Sequence, residues 1–90
     1  MSHVIKEGMF YKCYNEDAMV FSQCVRAYKI NVKFVKNVGA KVMSIGFPVS
    51  EVEKGRLNLE YISEKIGASG FEVSGSGVVF ILDNIEVKTN

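Results

Sequence analysis

The stretch from residue 57 to residue 82 constrains the fold of this chain more than any other. Its first part predicts a helix over residues 58–66, because apolar residues spaced three and four apart share one helix face. These apolar residues are Leu59, Ile62 and Ile66. Asn58 precedes them as a candidate N-cap, and Gly67 follows them as a candidate left-handed residue beyond the last turn.

The same stretch continues as two strands separated by a glycine-rich turn. Residues 71–74 alternate apolar and polar side chains, which is the period of a half-buried strand. Residues 74–77, with the sequence Ser-Gly-Ser-Gly, indicate the turn. The unbroken apolar run over residues 78–82 predicts a strand that is covered on both faces. A further alternating segment, residues 85–88, predicts another strand at the C-terminus.

The first half of the chain has a strand followed by a segment that admits two interpretations. Residues 9–14 are rich in aromatic side chains, which favours a strand. In the first interpretation, Asn15 caps a helix that has one apolar face. That face comprises Phe21, Cys24, Val25 and Tyr28. In the second, residues 15–17 form a turn and an extended segment starts at Ala18. The helix is favoured because residues 18–27 are mostly of helix-tolerant types.

A clean alternation of apolar and polar residues follows and predicts a β-hairpin. Its strands are residues 28–36 and residues 40–47, joined by a turn at residues 37–39. Pro48 ends the second strand because it has no N–H group to donate to a ladder. The segment between Pro48 and the next helix is predicted to form a looser turn, because Gly55 disfavours a helix interior.

These elements predict a single small α+β domain over residues 1–90. Their order of strand, helix, strand, strand, helix and strand (βαββαβ), plus a C-terminal strand, indicates a ferredoxin-like plait. In that arrangement two helices cover one face of an antiparallel sheet and the other face is open. If residues 18–27 are extended, the alternative is a mostly-β sheet with a single helix at 58–66. Residues 1–8 are predicted to be a mobile or edge segment.

Charge and cysteine content narrow the class of protein. The net charge is +1, but residues 1–45 have seven basic and three acidic side chains, whereas residues 46–90 have four and seven. This asymmetry suits an acidic partner or a head-to-tail contact between copies. No apolar run approaches the roughly 20 residues of a membrane span, so we expect no membrane contact. Two cysteines and no recognisable secretory leader indicate the cytoplasm.

The reactive side chains predict no catalytic, cofactor-binding or metal site. His3 is the only histidine and lies near the N-terminus, so a nucleophile–histidine pair would depend on it. Cys13 and Cys24 belong to no CxxC pair and are predicted to be small buried side chains. The glycines within residues 67–70 and 75–77 have the spacing of phosphate-binding loops but lack the flanking helix that such loops need. We therefore expect no cofactor.

The one positive binding signal is a group of basic and polar residues on the predicted hairpin. The group comprises Lys29, Asn31, Lys33, Lys36 and Lys41. Alternation and the turn place this group on the outer side and tip of the hairpin, where it forms a basic strip. Sheets that bind nucleic acid usually add aromatic side chains for base stacking, but Tyr28 and Phe34 alternate to the opposite face. Nucleic acid is therefore the second choice of partner.

These observations predict a small non-enzymatic protein that binds another protein as a regulator or inhibitor, of the kind that phages and mobile elements carry. A homodimer is expected, because a small domain gains stability by burying more apolar surface and free strand edges invite pairing. The alternative is a nucleic-acid-binding protein that uses the lysine-rich hairpin. An enzyme is the third hypothesis, with Cys24 and His3 as its only candidate residues.

Overall fold

A computed structural model of the chain describes residues 1–82, and it confirms the α+β class. This part of the chain contains six strands and three helices. In chain order they are β1 (Ser2–Glu7), β2 (Phe10–Tyr14), α1 (Asn15–Cys24), β3 (Asn31–Val35), β4 (Ala40–Pro48), α2 (Val49–Glu53), α3 (Leu59–Lys65), β5 (Ala68–Ser74) and β6 (Gly77–Leu82). The strand predicted at residues 85–88 lies outside the described residues.

The strands form one antiparallel sheet in the order β3-β4-β2-β1-β6-β5. The hairpin β1–β2 is its centre, and the hairpins β3–β4 and β5–β6 flank it. Each outer hairpin places its second strand next to the centre and its first strand at an edge. The helices pack on one face, the helix face, where alternate strand residues join them in a single apolar core. Within residues 1–82 no helix covers the opposite face, which we call the open face.

The structure differs from three expectations about the fold. The ferredoxin-like plait is not confirmed, because the sheet has more strands than predicted and β1 pairs directly with β2. Residues 1–8 are not a mobile or edge segment, because β1 lies between β2 and β6. Ser2 and Val4 are buried and alternate with exposed His3 and Ile5, which is the period of a strand. The mostly-β alternative is also wrong, because α1 forms.

Aromatic side chains form the centre of the core. Phe21 of α1 is fully buried and contacts Phe47 of β4 and Phe80 of β6, with ring centroids 6.4 Å and 5.9 Å apart. Tyr11 packs against Phe47 and Phe71 packs against Phe80, each at 5.7 Å. These contacts join α1 to strands on both sides of the central hairpin. Truncating a buried phenylalanine of this kind to alanine typically costs about 3–5 kcal/mol.

Helix α3 begins and ends where the sequence predicts. The Asn58 side chain accepts hydrogen bonds from the N–H groups of Glu60 (2.7 Å) and Tyr61 (3.3 Å), so it caps the helix. Gly67 follows the helix with φ +75°, a conformation that glycine adopts at little cost. The looser turn predicted before α3 contains the short helix α2, which ends before Gly55.

Helix α1 confirms the helical interpretation, but Asn15 has a different role from the predicted one. The N-cap residue of α1 is Tyr14, and the helix has no side-chain capping hydrogen bond. Asn15 instead has φ +51°, which asparagine tolerates, and its Oδ1 accepts a hydrogen bond from the N–H of Met43 in β4 at 3.1 Å. Strand β2 ends at Tyr14, so the Asn15 side chain supplies the acceptor that a longer β2 would have offered to β4.

Strand β6 is buried on one face only. Val78 and Phe80 are buried against the helices, whereas Val79 and Ile81 are half-buried on the open face. The prediction that residues 78–82 are covered on both faces is therefore wrong, because the described helices all lie on the same side. The apolar run marks an inner strand of a sheet that is covered on one side.

Gly77 lies at a close approach between β1 and β6. It has φ +146°, and a Cβ atom at this position would lie 2.0 Å from the carbonyl oxygen of Val4. Gly75 belongs to the same turn, but a Cβ atom there would have no heavy atom within 4 Å. The two glycines therefore differ in whether a side chain can be accommodated.

We expect Gly77→Ala to lower the free energy of unfolding by about 3 kcal/mol, because the added methyl group overlaps the β1 backbone. Gly75→Ala is the matched control and should change this free energy by less than about 1 kcal/mol. Urea titrations followed by circular dichroism measure both values. Equal stability of the two variants would contradict the close approach of β1 and β6.

Candidate binding face

The open face of the sheet presents apolar side chains to solvent near its centre. Residues directly opposite each other in an antiparallel pair share a face, so the register assigns each side chain to one side. Ile5 of β1 is opposite Lys12 of β2, and both lie on the open face together with Phe10. The exposed fraction is 43% for Ile5 and 47% for Phe10. An apolar surface thus lies among polar neighbours on the central hairpin.

Beside Phe10 the open face contains a shallow depression of about 290 Å³. Its principal lining residues are Phe10, Lys12, Lys29, Asn31, Ser44 and Gly46. Gly46 lies directly beside Lys12, since a Cβ atom at this position would be in ordinary van der Waals contact with Lys12 Cγ, at 3.6 Å. The depression brings an aromatic ring, two lysine side chains and an amide together.

A second groove lies on the other side of Phe10, between the β1–β2 turn and α2, and so extends from Phe10 toward the helix face. It has a volume of about 450 Å³ and mainly apolar walls. Its lining residues are Lys6, Gly8, Met9, Phe10, Pro48, Val49, Ser50 and Glu53. Met9, in the turn between β1 and β2, is 80% exposed. Phe10 contributes to both grooves, so it is the residue around which the exposed apolar surface is arranged.

Tyr14, at the end of β2, is held in position on the open face. Its hydroxyl donates a hydrogen bond to Glu7 Oε2. This hydrogen bond, followed by partial burial and by the charge of Glu7, raises the pKa of Tyr14 to about 12. The hydrogen bond to Glu7 therefore gives the Tyr14 ring a defined orientation on the open face.

The structure divides the hairpin residues that the sequence predicts as a binding strip. Lys29 and Asn31 line the depression, and Lys33 lies on the same face two residues further along β3. Lys41 lies on the helix face instead, and Lys36 lies in the turn after β3. The open face therefore brings together three of these residues and separates them from the other two.

On β2, sequence reasoning missed three residues of the open face. They are Phe10, Lys12 and Tyr14. Tyr11 and Cys13 are buried, and side chains alternate along a strand, so their neighbours lie on the opposite side of the sheet. The sequence does not show this alternation, because nearly every residue of β2 is apolar or aromatic. Tyr28 and Phe34 do lie away from the open face, as predicted. Strand β2 supplies the aromatic side chains that the hairpin lacks.

The two cysteines have different environments. Cys13 is fully buried in the core, and burial, with a smaller contribution from the charge of Asp17, raises the pKa of its thiol to about 12. Cys24 is exposed at the end of α1, so the prediction of a buried side chain is wrong for this residue. The apolar face of the helical segment passes from Phe21 to the partly buried Val25 instead.

Metal binding and membrane crossing are two further possibilities for residues 1–82. In that range, no three side chains of histidine, cysteine, aspartate or glutamate are grouped as they would be around a metal ion. The helices of the same range are all too short or too polar to cross a membrane. His3 lies on the open face opposite Val79.

Comparisons with known proteins identify no relative of this chain. Protein-family models, curated proteins and solved structures were each compared with it, and none matches.

Alkaline pH should destabilise the folded protein. Cys13 and Tyr14 have pKa values of about 12 in the folded state, above their ordinary values of 9.0 and 10.0. The unfolded state therefore loses these protons first. The contribution of both groups to stability is complete below about pH 9 and is lost as the pH rises toward 12.

Chemical denaturation between about pH 8 and pH 12 should show this loss, and Tyr14→Phe should make it smaller. Tyr61→Phe, at an exposed tyrosine of α3, is the matched control and should leave the pH profile unchanged. A Tyr14→Phe profile identical to that of the parent protein would contradict the assigned role of the hydrogen bond to Glu7.

Proposed function

We propose that this chain is a small non-enzymatic protein that binds another protein through its open face. The observation that carries the proposal is a sheet covered by helices on one side, with Ile5 and Phe10 presented to solvent on the other. Apolar surface rimmed by polar side chains is typical of protein–protein contacts. Phe10 has the features of an anchor residue, since it is aromatic and stands between two grooves.

The rim of the open face indicates the chemistry of the partner. Lys12 and Lys29 line the depression beside Phe10, and Lys33 lies next to them on β3. A partner that offers apolar side chains to the grooves and carboxylates to these lysines would complement this face. Glu7, the neighbouring acidic side chain, accepts a hydrogen bond from Tyr14 of the same chain.

The proposal extends to a role as a regulator or inhibitor in the cytoplasm. A protein that acts by occupying the surface of its partner needs binding residues rather than reactive ones. Cys13 and Cys24 are both free thiols, which suits a reducing compartment.

Substitution of Phe10 tests the proposal. Phe10→Asp should reduce recovery of the partner from source-cell lysate by at least about tenfold, because it places a charge in the apolar centre of the contact. Val38→Asp is the matched control, since Val38 is 66% exposed but lies in the turn between β3 and β4. Quantitative mass spectrometry of pull-downs compares the parent and both variants, and calorimetry with the purified partner then gives Kd. If every recovered protein binds the parent and Phe10→Asp equally, the proposal is wrong.

Single-stranded nucleic acid is a second candidate, and a specific observation favours it. Phe10 and Tyr14 lie on the same sheet face as Lys12, Lys29 and Lys33. Aromatic rings on an open sheet stack bases, and nearby lysines neutralise phosphates. Phe10 and Tyr14 thus supply the aromatic side chains whose absence from the open side of the hairpin counted against nucleic-acid binding.

Fluorescence anisotropy with labelled single-stranded DNA and RNA tests this candidate. Affinity should fall steeply with salt, and Lys12→Gln should reduce the slope of this dependence by about 1. Phe10→Ala should weaken binding about tenfold through the loss of one stacking platform. Lys54→Gln, at an exposed lysine after α2, is the control. No binding by the parent protein at low salt would reject nucleic acid as the ligand.

A further inference from the structure

We propose that copies of this chain join head to tail, with edge strand β3 of one copy pairing with edge strand β5 of the next. Within residues 1–82 these strands are the two edges of the sheet, so each has one unpaired side. Such an edge either carries a device against pairing or pairs with another strand. The contact uses the backbone of the two edges and does not involve Phe10, although it shares Asn31 and Lys33 with the rim of the proposed binding face.

The number of strands determines how the two edges meet. Neighbouring strands alternate in direction, so β3 and β5 at opposite ends of the six-stranded order run antiparallel to each other. A second copy placed beside the first in the same orientation brings its β5 antiparallel to β3. The open faces of both copies then lie on the same side, and the antiparallel sheet continues from one copy into the next.

Hydrogen bonding in β4 shows which groups of β3 point outward. The N–H of Met43 is directed at Asn15 and therefore away from β3. Val32 lies opposite Met43, so these two residues form a non-hydrogen-bonded pair. The backbone N–H and C=O groups of Val32 consequently point away from β4. The same holds for Phe34, two residues further along the strand.

The same reasoning applies to β5. The N–H of Lys6 donates to the Ser76 carbonyl at 2.8 Å. The backbone groups of Lys6 therefore point toward β6, and those of Ser76 point toward β1. Alternation then directs the backbone groups of Val79 toward β5, where Val79 lies opposite Glu72. Glu72 is therefore bonded inward. Its neighbours on either side have outward-pointing groups: Phe71 and Val73.

Registers that differ by two residues all satisfy the backbone groups of both edges, and one of them also pairs opposite charges on the open face. That register is obtained by placing Lys33 of one copy opposite Glu72 of the next. The pairs that result are Asn31–Ser74, Val32–Val73, Lys33–Glu72 and Phe34–Phe71. Val32–Val73 and Phe34–Phe71 are then the hydrogen-bonded pairs, as the outward-pointing groups require. Apolar side chains meet on the helix face, and polar or oppositely charged side chains meet on the open face.

The apolar side chains of this register are available for contact. Val32 and Phe34 are each 58% exposed, because α1 does not extend over the outer part of the hairpin. Val73 on the opposite edge is 57% exposed. Pairing the edges would remove these surfaces from water, which favours association by the hydrophobic effect.

Charge favours this contact over pairing of like edges. Two β3 edges would bring lysines together, and two β5 edges would bring glutamates together, whereas β3 against β5 places Lys33 opposite Glu72. On the helix face, Lys41 lies opposite Phe34 in the hairpin, and Glu60 and Glu64 line the groove beside β5. Because the contact is not two-fold symmetric, each added copy leaves one β3 and one β5 edge free, which produces a ring or a filament.

A pair of edge-blocked variants tests the contact. Val32→Pro and Val73→Pro each remove one outward-pointing N–H without removing a donor of the existing ladder, and edge strands accept proline at such positions. Sedimentation velocity should show concentration-dependent association of the parent chain and a monomer for each variant alone. An equimolar mixture of the two should form a dimer and nothing larger, because only one intact β3 edge and one intact β5 edge remain. Circular dichroism checks that both variants fold.

Three results would overturn the proposal. They are a parent chain that stays monomeric at high concentration, an edge-blocked variant that still dimerises by itself, and a mixture that remains monomeric while the parent associates. Phe10 is unchanged in these variants, so partner binding through the open face should persist whatever their outcome.

A charge exchange tests the register without altering the backbone. Lys33→Glu and Glu72→Lys should each weaken self-association about tenfold by placing like charges opposite each other. The double variant Lys33→Glu/Glu72→Lys should return to near the affinity of the parent. Lys54→Glu is the control for loss of positive charge. Failure of the double variant to recover would contradict the pairing of Lys33 with Glu72.

Discussion

Burial of a single face of the sheet, centred on Phe21, is the constraint on which the rest of the structure depends. The Phe21 ring contacts Phe47 and Phe80, which belong to strands on either side of the central hairpin. A chain of this size can build only a small core. The described helices all contribute to that core, so the residues that alternate to the other side of the sheet remain available to solvent or to a partner.

This constraint leaves two kinds of surface that can bind a partner. The open face offers side chains, with Phe10 at the meeting point of two grooves and lysines beside it. The edges β3 and β5 offer backbone hydrogen-bonding groups as well as exposed apolar residues. A ligand of the face is selected by side-chain chemistry, whereas a strand that adds to an edge is selected first by direction and register. The two surfaces meet at Lys33, which belongs to the open face and to edge strand β3.

The features that could be predicted from the sequence are those that depend on neighbouring residues. The cap formed by Asn58 and the left-handed residue Gly67 both follow from side chains and backbone within one helix. The role of Asn15 could not be predicted, because its partner is an N–H group of β4 that the fold brings to it. The central position of β1 depends on pairing with β6 near the other end of the described chain.

Prediction of the candidate site was limited in the same way. Lys29, Asn31 and Lys33 could be assigned to one face of the hairpin because the hairpin alternates cleanly between apolar and polar residues. Phe10 and Tyr14 were missed because the inner and outer residues of β2 are chemically similar, and only the packing of α1 and β4 distinguishes them. Where both sides of a strand are apolar, the sequence does not show which residues face the helices and which belong to a binding face.

The pairing of β1 with β6 has a consequence for how the chain folds during synthesis. Ser2 lies opposite Phe80, so this ladder closes a loop that includes nearly the whole described chain, and the entropy cost of closure rises with loop length. β1, β2 and α1 leave the ribosome early, but Val4 and Phe21 cannot complete their contacts until β6 has also emerged. The apolar side chains of β1, β2 and α1 therefore remain partly exposed on the nascent chain until β6 has emerged. A prematurely terminated product without β6 would be a target for chaperones and proteases rather than a smaller stable domain.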